Sequence, residues 1–245
     1  MNTLISGLQY PFRALRLLQR HSELWGYVLW PVLLNLVVGA TIYIGLLLAG
    51  FQAINTWIAG LPEWAAFLGG LLQVLLVVLL LIVTGFVLVR FGVVLGSPFY
   101  GQLSERLEAI LTNQPPPSEG LTFATVTRDI WRALGFELKK LLLTLAIGLP
   151  ILLLNLIPAA GQVLATIGGI LLGALIACLD FFDSPLERRR LGFRQKLGAI
   201  RGSFPASGGF GLICLALSSI PLINLLAIPL CVAAGTLFYS ERLRS

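Results

Sequence analysis

KLLLTLAIGLPILLLNLIPAAGQVLATIGGILLGALIACLD, residues 140–180, has no charged side chain between its first and last positions and is interrupted midway by NLIPAAGQ (155–162). A helix that crosses a bilayer needs about 20 apolar residues, each rising about 1.5 Å. The arms either side of the break, 141–157 and 163–179, hold 17 residues each, at the short limit for crossing. Pro158 lacks a backbone donor and Gly161 permits a sharp turn. The segment therefore reads as two tightly connected spans or as a helical hairpin that enters the bilayer and returns to the same face. The short arms favour the hairpin. The pattern recurs at IPLINLLAIPL (220–230), where Pro221 and Pro229 flank Asn224, with one arm at 208–220 and a longer one reaching Tyr239.

The N-terminal half is simpler. No Asp, Glu, Lys or Arg lies between Glu23 and Glu63, or between Glu63 and Arg90. Each gap holds one span, at about 25–49 and 65–89. Between them FQAINTWIAGLPEW carries Trp57 and Trp64 beside Asn55 and Pro62, a composition suited to a membrane–water interface. The first apolar run is too long for the core of a cleaved signal peptide and is expected to stay as an anchor. Over the 245 residues, 57% are hydrophobic and 11% charged, against about 25% charged in soluble domains. Too few charges remain to cover a water-facing exterior.

All 17 Lys and Arg residues fall before the first span, between Arg90 and Lys140, between Arg188 and Arg201, or after Glu241. Either reading of the broken segments returns the chain to its starting side, so every cation shares one side. The positive-inside bias makes that side cytoplasmic and puts both termini there. The same bias accounts for the net charge of +6 without a nucleic-acid partner.

The charged stretches hold two amphipathic helices. Ser97-Pro98 reads as the start of one over 97–112, with Phe99, Leu103, Leu107, Ile110 and Leu111 opposite Gln102, Glu105 and Glu108. The linker QPPPSEG (114–120) ends it. A second helix, 122–140, sets Val126, Ile130, Leu134 and Leu138 against Arg128, Asp129, Arg132 and Lys139. Such helices lie on the membrane or pack beneath the bundle.

No enzyme motif is present: no GxxxxGK, HExxH or GxSxG, and no support for a cofactor. Cys178, Cys214 and Cys231 read as small buried apolar residues, and His21 has no neighbouring metal ligand. Polar groups at membrane depth are the functional candidates. Asn155, Gln162 and Asn224 sit at the two breaks, and Asn35 lies early in the first span. Broken helices expose backbone donors and acceptors able to hold an ion, or the amides simply cap a buried turn. Glu105–Arg106 and Arg132–Glu137 either pair beneath the bundle or line a pore entrance. The basic run from Glu187 to Arg201 reads as a lipid-headgroup anchor, or as a means of concentrating an anionic solute at a cytoplasmic mouth; the anchor is favoured.

WPVLLN (30–35), GSPFYGQLSERLEAIL (96–111), NLIPAAGQ (155–162), LDFFDSPLERRRLGF (179–193) and IPLINLLAIPL (220–230) together resemble the CysZ-type sulfate permease family, of the etoposide-induced-protein 2.4 domain group. The resemblance implies an oligomeric bacterial inner-membrane protein with two long spans and partly penetrating hairpins, admitting sulfate for cysteine synthesis. Arg106, Arg132, Asn155, Gln162 and Asn224 are then the expected anion-pathway residues, with Glu105 and Glu137 as polar partners. Sulfate-transporting relatives usually carry two arginines ahead of the first span. Their positions here are Trp25 and Gly26. The alternative is a membrane-embedded interaction or stress-response protein that does not transport.

Overall fold

A backbone surrounded by lipid has no hydrogen-bond partner but itself, which leaves helices as the economical solution for so apolar a chain. The computed structural model describes residues 3–60, 62, 66–114, 123–158, 160–220 and 223–243, side chains of 66, 86–95, 97, 98 and 123–130 excepted. Trp64, most of the Pro-rich linker and Pro221 lie outside the described residues, as do the side chains of Arg90, Arg128 and Asp129. The described residues form α1 (Leu4–Leu8), α2 (Tyr10–Arg20), α3 (Trp25–Ile58), α4 (Ala66–Thr112), α5 (Phe123–Leu153), α6 (Ala160–Glu187), α7 (Phe193–Gly202), α8 (Ala206–Ser218) and α9 (Ile223–Phe238), and none is in a strand. Among them, four helical segments are long and apolar enough to cross a membrane: Ser22–Ile58, Phe67–Gly85, Ala160–Glu187 and Ile223–Leu243. The chain is an all-α polytopic membrane protein.

Several helix ends differ from the sequence expectation. The span at 65–89 and the amphipathic helix at 97–112 are one 47-residue helix, α4, which passes through Ser97-Pro98. The second amphipathic helix likewise continues into the first hairpin arm as α5. A change of polarity alters what a helix faces without altering its backbone hydrogen bonds, so it ends nothing. Pro229 lies inside α9, and Pro150 inside α5, where each removes one internal bond that apolar packing tolerates.

Contacts divide the chain into two compact units: Gly26–Phe99, and Met1–Trp25 with Tyr100–Ser245. In the first, α3 and α4 run antiparallel. The Tyr43 hydroxyl reaches the Val77 carbonyl at 3.4 Å, and Gln73 Nε2 donates to Asn55 Oδ1 at 2.9 Å. Leu36, Val37, Leu48, Leu71, Leu75 and Leu81 are exposed, as lipid-facing side chains are.

The second unit is built on α6, which packs against α5, α8 and α9. Phe182 stacks on Phe210 with centroids 4.6 Å apart, and Phe238 joins them and Tyr10, tying α2, α6, α8 and α9 into one aromatic core. Several backbone approaches in this unit require glycine, including two around α6. A Cβ on Gly235 would stand 2.1 Å from the Phe181 carbonyl oxygen, and one on Gly161 would stand 2.0 Å from that of Leu154. Gly161 therefore shapes the first break by lacking a side chain, and not by a left-handed backbone, since no described glycine has positive φ. A short 3-10 turn, Leu154–Leu156, precedes it, and Asn155 Nδ2 donates to the Leu152 carbonyl at 3.0 Å. The ends of the chain meet within this unit. Arg13 pairs with Glu241 at 2.5 Å, and Arg242 donates to the Tyr10 hydroxyl at 2.9 Å.

Candidate functional site

Asp183 and Glu187 stand one turn apart on α6, and Lys196 faces them from α7. Lys196 is only 1% exposed; its Nζ donates to Asp183 Oδ1 at 2.5 Å and to Glu187 Oε2 at 2.6 Å. The other oxygen of Glu187 accepts from Arg132 Nε at 2.8 Å. Glu187 thus joins α5, α6 and α7 through one carboxylate. The Lys196 ammonium also lies 4.3 Å from the centroid of the Phe136 ring, a cation–π contact.

These groups wall a cleft of about 320 Å³ between α5 and α7. Arg132, Lys139 and Lys196 line it against one carboxylate, Glu187, with Trp131 and Phe136 as aromatic walls. Arg132 uses only Nε in its ion pair, which leaves the donors of its two terminal nitrogens. Lys139 is exposed and makes no hydrogen bond or ion pair among the described residues. A cleft with more cations than acids attracts a small anion, and a planar guanidinium suits a tetrahedral oxyanion.

A second cluster lies deeper. Glu108 of α4 is 1% exposed and accepts from Arg188 Nη2 at 2.8 Å and from Arg189 Nη2. Arg188 Nη2 also donates to Ser104 Oγ at 2.9 Å, which in turn lies 2.7 Å from Thr236 Oγ1. Arg188 and Arg189 follow directly on the end of α6, and Arg190, at φ 55°, comes after them in the turn. Burial alone would raise the Glu108 pKa. The hydrogen bonds and charges of Arg189 and Arg188 outweigh it and hold the carboxyl below the ordinary 4.5. A carboxylate with a depressed native pKa contributes stability above its unfolded value and loses it as pH falls through the native one. Wild-type protein is therefore expected to lose thermal stability in detergent on acidification below about 4.5. Glu108→Gln should flatten that slope, and an unchanged slope would rule Glu108 out as its source.

Some sequence-predicted residues meet here and others do not. Arg132 is in the cleft, but its partner is Glu187 and not Glu137. Residues five apart on a helix point to different sides, whereas Glu137 and Lys140, three apart, pair at 2.7 Å. Lys140 also reaches Asp180 at 2.6 Å. Glu105 and Arg106 are adjacent, hence not facing, and both are exposed without a partner among the described residues. Asn155 and Gln162 are exposed at the first hairpin tip. Gln162 and Glu187 lie at opposite ends of α6, roughly 37 Å apart along its axis. Asn224 is 5% exposed, and its Oδ1 has no hydrogen-bond partner among the described residues.

The headgroup reading of the basic run gives way for Arg188, Arg189 and Lys196, which are committed to carboxylates inside the protein. Glu108, Asp183, Glu187, Lys139 and Lys196 were not picked out as site residues from the sequence. Asp183 and Glu187, four apart near the end of a long apolar helix, were the available signal.

A protein-family comparison matches residues 10–229 to the family described as Sulfate transporter CysZ/Etoposide-induced protein 2.4. Among curated proteins, the chain is 32% identical over 243 residues to the Sulfate transporter CysZ of Pseudomonas aeruginosa (strain LESB58), covering 96% of this chain and 94% of that protein. It is 29% identical over 244 residues to the Sulfate transporter CysZ of Pectobacterium atrosepticum (strain SCRI 1043), covering 98% and 86%. For the protein of that name from Salmonella typhimurium (strain LT2), identity is 28% over 219 residues, with 88% and 84% covered.

Proposed function

Because the chain belongs to the sulfate transporter CysZ/etoposide-induced protein 2.4 family, we propose that it moves sulfate across the bacterial inner membrane into the cytoplasm, where it feeds cysteine synthesis. The observation that carries this reading is the near full-length match to proteins named as sulfate transporters. Their names also favour it over a non-transporting interaction protein. Both termini and the cationic cleft face the cytoplasm in this proposal, in keeping with the one-sided Lys and Arg distribution. Movement is passive or ion-coupled, and the working form is a homo-oligomer.

A dianion leaving water needs charge-assisted donors. Trp25 and Gly26, just ahead of the first span, supply none, so the load falls on other residues. Arg132 and Lys139 meet the anion at the cytoplasmic cleft. Asn155, Gln162 and Asn224 act at the hairpin tips, and the exposed Arg106, with Glu105 and Glu137, tunes the field at the mouth. At 13 residues, α8 is about 20 Å long, below the roughly 30 Å of a bilayer core, which supports partial penetration of the second hairpin.

The test is uptake of radiolabelled sulfate into liposomes containing the purified protein. Flux well above that of empty liposomes, saturable and reduced by unlabelled sulfate, is expected. Flux equal to empty liposomes from monodisperse, helical protein would overturn the proposal.

A further inference from the structure

A second cleft, of about 660 Å³, lies beside the first and shares Lys139 with it. Its polar lining is Lys139 of α5 with Arg194 and Gln195 of α7, and both cations are exposed and without a partner among the described residues. Its apolar lining is Leu142, Leu143 and Ala146 of α5 with Phe193 of α7. Among the described residues no acidic side chain lines it. The change of polarity falls where α5 itself changes. Before Lys140 the helix carries charges, and after it Leu141, Leu142, Leu145 and Leu149 are exposed without one.

We propose that this cleft holds one anionic phospholipid, its phosphate between Lys139 and Arg194 and an acyl chain along Leu142, Leu143 and Ala146. Two uncompensated cations share the cleft with an apolar wall, and along α5 the lining passes from Lys139 to Ala146 as such a lipid passes from head to chain. A free inorganic anion would use only the polar end and leave the apolar wall uncovered. A second copy of the chain would have to bring carboxylates to Lys139 and Arg194. The lipid satisfies both ends with one molecule. It also places a bound phosphate next to the Arg132 cleft, through Lys139, which is common to both.

Binding of phosphatidylglycerol and of phosphatidylcholine to the full chain in neutral detergent, counted by native mass spectrometry, tests this. Each interfacial Lys or Arg is worth about five-fold for an anionic lipid, so wild type should prefer phosphatidylglycerol roughly 25-fold. Lys139→Gln with Arg194→Gln should bring that ratio close to one. Arg16→Gln with Arg20→Gln removes the same charge from α2 and should leave the ratio unchanged. Ala146→Trp fills the apolar end and should weaken both lipids while keeping the preference. A ratio that survives the Lys139/Arg194 change, or falls equally with the α2 change, overturns the proposal. So does full displacement of the lipid by millimolar sulfate or glycerol phosphate, which would make this a free-anion site. Lipid binding abolished by dimerisation through Ala146→Cys, with that dimer already present in untreated protein, would assign the cleft to a second copy.

Discussion

Lys196→Met is expected to lower the stability of the folded protein by about 3 kcal/mol, with a matching fall in the midpoint of thermal unfolding in detergent. Lys196 is among the largest fully buried side chains, and its ammonium holds Asp183 and Glu187 together. Removing it leaves two carboxylates facing one another, with only Glu187 retaining a cation, Arg132. Breaking a buried ion pair typically costs about 3–5 kcal/mol; the lower end applies because both carboxylates are about a third exposed. Most of the loss should return in Lys196→Met with Asp183→Asn and Glu187→Gln, since the unpaired charge and not the missing bond is the main penalty. A single variant that unfolds within a degree or so of wild type would show that the three groups are solvated and independent.

Arg132→Gln should act on transport and spare the fold. Its ion pair with Glu187 is about one-third exposed on both sides, and pairs so screened contribute at most about 1 kcal/mol. The terminal nitrogens facing the cleft are a different matter. If they meet the oxyanion, losing a charge-assisted contact of about 1.5–3 kcal/mol lowers sulfate flux into liposomes roughly ten-fold or more. Arg132→Lys keeps the charge without the planar fork and should fall between. Unfolding curves that overlay wild type alongside flux reduced by this margin are the expected pair of results. Flux within two-fold of wild type would remove Arg132 from the pathway.

The two variants mark where the sequence could be read and where it could not. Charge-free runs and the breaks at 155–162 and near Asn224 were legible, because each depends on a few adjacent residues; the polar side read for 97–112 holds for Gln102 and Glu105, which are exposed, but not for Glu108, which is buried. Helix ends were less so: Ser97-Pro98 has the composition of a start, yet α4 continues through it. Pairing was largely illegible. Arg132 and Glu137 are close in the chain but on different sides of α5, whereas Arg132 and Glu187 meet across two helices. The contact of Glu108 with Arg188 and Arg189 bridges about eighty residues, a distance along the chain at which no local pattern signals a partner.

Membrane residence and the two interrupted hairpins were determined by the sequence alone, which also sets the expectation that the cations share one side. Transfer of a helix into lipid is close to a sum over its own side chains, and positive charge resists translocation loop by loop. Tertiary structure alone decided which carboxylate neutralises which cation: Glu187 pairs with Arg132 and Lys196, Glu108 with Arg188 and Arg189, and Lys139 with none among the described residues. Ion pairing depends on distances of a few ångströms between helices, which residue types along a chain do not encode one by one.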